Sequence, residues 1–221
     1  MNQTTLASEL IKAVDRADSS DSLIDAVEAL ADARLESAAP TLIAVLSYNN
    51  PGAAVAAVEG LVQLGEVAVM PLLNLLDDYN YGGRAWAIRA LAEIGDPRAL
   101  ETLLEAAETD FSMSVRRAAA KGLGNLLWSK IPAAQVKQVQ ARVGKTLLRT
   151  SQDPEWVVRY ASVAGLQGLA NAVAIALRAR YAIEQSDIYS LLKSHFQQML
   201  AEEQDLAVRT RVRRAMQELG R

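Results

Sequence analysis

The sequence predicts an all-α protein, an α-solenoid of about five to six helical pairs, and three observations carry that expectation. Alanine and leucine dominate a chain that is 51% hydrophobic, while its 12 glycines and 6 prolines are scattered; such a composition favours helix over sheet. Apolar residues at the middle of successive helices, Leu30, Leu61, Leu91, Leu123, Leu166 and Met216, follow one another at spacings of 31, 30, 32, 43 and 50 residues. A period of thirty-odd residues is the mark of stacked helical pairs. Proline and glycine punctuate the pattern, with Pro40 and Pro71 at helix starts and Gly65 and Gly95 at helix stops, where a missing N–H or a left-handed backbone costs least.

The elements follow in order. In the opening stretch LASELIKAV, Leu6, Leu10, Ile11 and Val14 share one helical face; residues 1–20 are expected to cap the stack or dock a partner chain. Residues 21–221 hold the repeats of a single 1–221 domain, with insertions in the last two, where the spacing lengthens. PTLIAVLSYNN followed by PGAAVAAVEGLVQLG, and MPLLNLLDDYN followed by YGGRAWAIRALAEIG, show the helix–turn–helix unit most clearly. Ala87, Ala119 and Ala161 are small enough to let neighbouring second helices approach closely. DIYSLLKSHFQQMLAEE reads as a further helix, and AVRTRVRRAMQELGR as a last one whose Arg209, Arg211, Arg213 and Arg214 form a solvated or partner-facing surface.

Two polar positions repeat with the apolar anchor. Seven residues before it stands an arginine in four repeats, Arg84, Arg116, Arg159 and Arg209, and six residues before the arginine an aspartate in three, Asp78, Asp110 and Asp153. In the last repeat Asp205 stands four residues before Arg209. Arginine's planar fork suits a structural ladder, since it can hold a carboxylate and a turn carbonyl together. This pattern resembles HEAT-like repeats, in particular the short form named after phycobilisome lyases, in which aspartate and arginine form such a ladder between neighbours.

Several function classes are disfavoured. With 23 basic and 26 acidic residues, net charge −3, the chain has no field to attract nucleic acid. It has no cysteine and a single histidine, His195, which is expected to be structural because no nucleophile or orienting partner is recognisable. No cluster has metal-ligand spacing, and VGKT at Val143–Thr146 lacks the first glycine of a phosphate-binding loop and a preceding strand. The N-terminus does not read as a signal peptide and no apolar run has membrane-spanning length, so a cytoplasmic protein is expected.

The candidate site lies at turns and on one helix face. Tyr48, Tyr79, Tyr81, Phe111 and Trp156 fall in or beside the turns between paired helices, where a core residue would be wasted; such rings suit a flat aromatic ligand or a partner's surface. One and five residues beyond the ladder arginines stand Arg117 and Lys121 in one repeat, Arg89 in the one before, Tyr160 in a later one and Arg214 in the last. With Trp86 nearby, they make a basic wall suited to a ligand with carboxylates; a solvated charged face is the alternative.

The segment YNYGGRAWAIRALAEIGDPRA closely resembles the F-type subunits of heterodimeric phycocyanobilin lyases for the phycocyanin α-subunit, and the surrounding repeats match that family over roughly residues 20–221. The resemblance implies a carbon–sulfur lyase in which this chain and a homologous E-type subunit attach a bilin to a cysteine of apo-phycocyanin through a thioether. The nucleophile is then the substrate's thiol, and phycocyanobilin is a transferred substrate rather than a permanently bound cofactor. Asp77, Asp78, Tyr79 and Tyr81 are the expected catalytic centre, and Arg84, Trp86, Arg89, Arg117, Lys121 and Tyr160 the expected bilin contacts. Related isomerising lyases carry a histidine–cysteine motif that this cysteine-free chain lacks, so isomerisation is not expected. The competing reading is a non-enzymatic HEAT-like adaptor that binds phycobiliproteins.

Overall fold

A computed structural model describes residues 2–77, 81–180 and 186–219, and of residues 77, 81–82, 175–180 and 186–189 the backbone alone. Among the described residues all regular structure is helical. The helices gather into two compact units, Met1–Ala99 and Leu100–Arg221.

The first unit holds three helical pairs: α1 (Gln3–Arg16) with α2 (Ser20–Asp32), α3 (Ala39–Val45) with α4 (Pro51–Leu64), and α5 (Glu66–Asp77) with α6 (Tyr81–Ile94). The second helices α2, α4 and α6 pack in sequence. Their contact is made of small and branched residues, Val27, Ala53, Ala57, Val58, Ala87, Ile88 and Ala90 among them, all fully shut off from solvent. Local signals start each element: Ser19 and Ser22 form a reciprocal capping box on α2, and Asn50 accepts from Ala53 N while its amide donates to Ser20 O at 3.2 Å and Ser20 Oγ at 3.0 Å. Asn50 thereby caps α4 and ties it to the head of α2.

The glycine stops hold, for Gly65 has φ 63° and Gly95 φ 68°. The proline start at Pro71 does not: α5 begins at Glu66, directly after Gly65, and Pro71 lies inside it. Pro71 leaves the carbonyl of Val67, four residues earlier, without its helical donor.

The second unit also holds three pairs: α7 (Leu100–Thr109) with α8 (Met113–Leu123), α9 (Val136–Thr150) with α10 (Trp156–Arg180), and α11 (Ser186–Glu202) with α12 (Leu206–Leu219). The 43-residue spacing arises from the connection after α8, which contains a 3-10 turn at Trp128–Lys130, and the 50-residue spacing from the 25 residues of α10. α10 packs on both α8 and α12. Its register is pinned by glycine: a Cβ at Gly124 would stand 2.5 Å from Gly165 Cα, so the two backbones touch only because neither carries one. Among the first helices, α9 is tied to α7 by Arg142 on Glu101 (2.6 and 2.7 Å) and by Thr146 and Arg149 on Glu108 (2.7 and 2.9 Å).

Of the six apolar anchors, Leu30, Leu61, Leu91, Leu123 and Leu166 are fully buried. Met216 is half-buried, and Val208, Val212 and Ala215 are the buried residues of α12.

Candidate functional site

In the second unit the ladder forms as a structural device. Arg116 donates from Nε and Nη2 to the Asp153 carboxylate at 2.8 and 3.1 Å, and from Nη1 to the carbonyls of Asp110 and Phe111. Arg159 repeats the arrangement one pair later, on Glu203 at 2.7 and 2.9 Å and on the carbonyls of Asp153 and Pro154. Each fork closes its own turn and grips the next pair. The hydrogen bond that Arg116 donates to Asp153 raises the pKa of Arg116, and the one that Arg159 donates to Glu203 holds Glu203 below the ordinary carboxylate value. The last carboxylate is Glu203 rather than Asp205; Asp205 instead caps α12, accepting from Ala207 N at 2.8 Å and Val208 N at 3.0 Å. The shorter Asp205–Arg209 spacing explains this, because an aspartate four residues before the arginine falls on the helix cap. Arg209 Nε is buried and, among the described residues, meets no acceptor.

The first unit carries the aromatic insertion. Asp78 and Tyr79 lie outside the described residues, as do the side chains of Asp77 and Tyr81, whose backbones end α5 and begin α6. Beyond them on α6, Arg84 and Trp86 are half-buried. The Arg89 guanidinium lies 5.7 Å from the Trp86 ring centroid and its Nε donates to Glu93 at 3.0 Å. Trp86 and Arg89 are thus brought together as a ring with a cation on its face.

In the second unit the expected contacts lie on α8 and α10. Arg117 and Lys121, one turn apart, are both exposed on α8, and among the described residues neither pairs with a carboxylate. The N-terminal ends of α8, α10 and α12 also expose large apolar groups: Met113 is 50% exposed, Trp156 46% and Leu206 72%, each three residues before a ladder arginine. Phe111, in the turn before α8, is 79% exposed. Tyr160, one turn beyond Trp156, is 40% exposed.

One residue escaped the sequence reading. Arg211 of α12 lies with its guanidinium carbon 6.0 Å from the Tyr160 ring centroid. Burial lowers its pKa, with Arg214 adding to that and Tyr160 and Glu218 opposing it. Read along the sequence, Arg211 belonged to a solvated or partner-facing basic surface. Only the packing of α12 against α10 turns it toward a ring.

A cleft of about 400 Å³ in the same unit is lined by Ser151, Arg159, His195, Met199, Glu202 and Gln204 among others. Ser151 Oγ is within hydrogen-bond distance of Leu148 O at 2.7 Å and of His195 Nε2 at 2.8 Å. Either atom can donate in the Ser151–His195 contact, according to the imidazole tautomer, and burial lowers the pKa of His195. The histidine joins the α9–α10 turn to α11. Among the described residues no group of three or more His, Cys, Asp or Glu side chains is placed to hold a metal ion, and no helix is long and apolar enough to cross a membrane.

Comparison with known proteins gives consistent matches. The family model for HEAT repeats matches residues 69–167. The chain is 53% identical over 218 residues to a phycocyanobilin lyase subunit beta of Pseudanabaena tenuis, covering 98% of this chain and 74% of that one. It is 58% identical over 161 residues to the phycocyanin alpha phycocyanobilin lyase CpcF of Synechocystis sp., covering 73% and 75%. Among solved structures, the complex of CpcE and CpcF of phycocyanin lyase from Nostoc sp. contains a chain 51% identical, with a TM-score of 0.68, covering 80% of this chain and 97% of that one. A designed armadillo repeat protein superposes with a TM-score of 0.59 at 16% identity, which shows the fold alone.

Proposed function

The chain belongs to the phycocyanobilin lyase subunit beta family, and on that premise we propose that it is one of two homologous subunits of an enzyme that attaches phycocyanobilin to the phycocyanin α-subunit. The observation that carries this reading is the match to the Pseudanabaena subunit, which spans nearly the whole chain. The partners are the homologous E-type subunit, apo-phycocyanin α and the bilin, and we place the reaction in the cytoplasm. The bilin passes through as a substrate and no cofactor stays bound.

The reaction adds a substrate cysteine across the exocyclic double bond of the bilin. A carbon–sulfur bond forms, the thiol proton ends on the neighbouring carbon, and nothing is oxidised or reduced. The enzyme therefore needs no nucleophile of its own. Its task is to hold an elongated conjugated molecule in one pose and offer one carbon to the thiol. The exposed rings and cations suit that task, because a bilin has a flat apolar body and two propionates. In this reading Asp77, Asp78, Tyr79 and Tyr81 form the polar centre that meets the pyrrole N–H groups and manages the proton. Arg84, Trp86, Arg89, Arg117, Lys121 and Tyr160 hold the rings and propionates.

The test is reconstituted transfer with this chain, an E-type subunit, phycocyanobilin and apo-phycocyanin α, scored by pigment that stays attached after denaturation. Adduct formed only when both chains are present supports the lyase. Binding to phycobiliprotein with no dependence of transfer on this chain moves it to the adaptor class.

A further inference from the structure

At the α10–α12 seam of the second unit lies a cation, Arg211, that no carboxylate among the described residues pairs with. Arg116 and Arg159 are committed to the ladder. Arg214 donates from Nε to Glu218 at 3.0 Å, and the same carboxylate is gripped by the Gln167 amide. Arg211 differs from all three. Its Nη1 is closed off from solvent and meets no acceptor, and among the described residues no carboxylate pairs with it. A guanidinium N–H closed off from water with no acceptor is unfavourable in the isolated chain, and Glu218 attracts Arg211 through space without forming an ion pair with it. Its place in the fold is explained if an anion completes it.

The surroundings narrow the class of anion. Tyr160 lies under the guanidinium and is 40% exposed, and Trp156, one turn earlier on α10, is 46% exposed. A ligand that meets Arg211 therefore has ring faces available beside its charge. The arginine fork matches a planar carboxylate in a bidentate manner, so the complement is a flat apolar body bearing a carboxylate. α10 and α12 run in the same direction, since Arg159 meets Glu203 near their N-terminal ends and Gln167 meets Glu218 further along both. Arg211 and Arg214 thus lie three residues apart on the same helix, and a second cation flanks the site.

Building on the bilin reading above, we propose that Arg211, with Tyr160 as its ring wall and Arg214 beside it, is a propionate anchor of this subunit. It is a positioning and specificity residue; the thiol addition takes place elsewhere on the ligand.

The test uses the complex of this chain with its E-type partner and two probes, phycocyanobilin as the free diacid and as its dimethyl ester, titrated by absorbance. The wild-type complex is expected to bind the diacid about 10- to 100-fold more tightly than the ester, the range of a charged hydrogen-bonded contact. Arg211→Gln should weaken the diacid by that factor and leave the ester unchanged, and Arg211→Lys should recover only part of the difference. Because Arg211 has no hydrogen-bond or ion-pair partner among the described residues and only a ring contact with Tyr160, Arg211→Gln should keep its co-elution with the partner and lose little of its thermal midpoint. Equal binding of both probes by wild type, or an unchanged diacid preference in Arg211→Gln, overturns the anchor while leaving the lyase reading intact. Failure of wild type to bind either probe overturns both.

Discussion

At the scale of single residues, the repeated arginine and its carboxylate were readable before the fold was known, and their distances show why they recur. In Arg116 and Arg159 three nitrogens have defined acceptors, so removing one carboxylate strands a largely buried cation. Asp153→Ala is expected to destabilise the protein by about 3–5 kcal/mol, measured by urea unfolding. Arg116→Ala in the same background should add little, because the pair acts as a unit. The pH response follows from Glu203, whose folded pKa lies below its ordinary value because Arg159 donates to it. A depressed carboxylate contributes stability above its unfolded pKa and loses it as pH falls through the folded one. Thermal melts of Glu203→Gln should therefore be lower than wild type at neutral pH and converge with it in acid. Residue-level reading left the roles of Asp205 and Arg211 open, because identity and spacing say nothing about which side of a helix is covered.

At the scale of elements, periodicity located the helices because burial imposes it: a helix wedged between neighbours must repeat its small and apolar residues with the helical turn. Gly65 and Gly95 stop helices through backbone conformations that other residues adopt at a cost. Pro71 misled because proline's preference for helix starts is not exclusive: it lies inside α5, which gives up one backbone hydrogen bond there. The contact of α8 with α10 is more demanding. Gly124→Ala must push Gly165 away, and a loss of about 1–3 kcal/mol is expected, visible as a lowered denaturation midpoint in guanidinium. Asn50→Ala removes the cap of α4 and its tie to α2 together, so its cost should reach the upper part of the usual capping range, about 2 kcal/mol.

At the scale of the whole molecule, the prediction concerns transfer. If the aromatic insertion before α6 belongs to the bilin site, Tyr81→Phe and Trp86→Leu should lower the transfer rate on the order of 10- to 100-fold, the effect expected of a misplaced reacting group. Both should still co-elute with the partner subunit. Wild-type rates in both variants would remove these residues from the site.

What the sequence by itself determined is the repeat, the class of helix-pair fold and, through the Tyr-Asn-Tyr-Gly-Gly-Arg-Ala-Trp run, the resemblance to bilin lyases. These are properties of patterns along the chain, set by helical period, turn chemistry and motif. Only the tertiary structure decided that Glu203 closes the last rung, that Asp205 is a cap and that Arg211 lies over Tyr160. Each depends on which side chains share a surface after helices far apart in the chain have packed, and burial and hydrogen-bond geometry, not spacing, select among chemically equivalent residues.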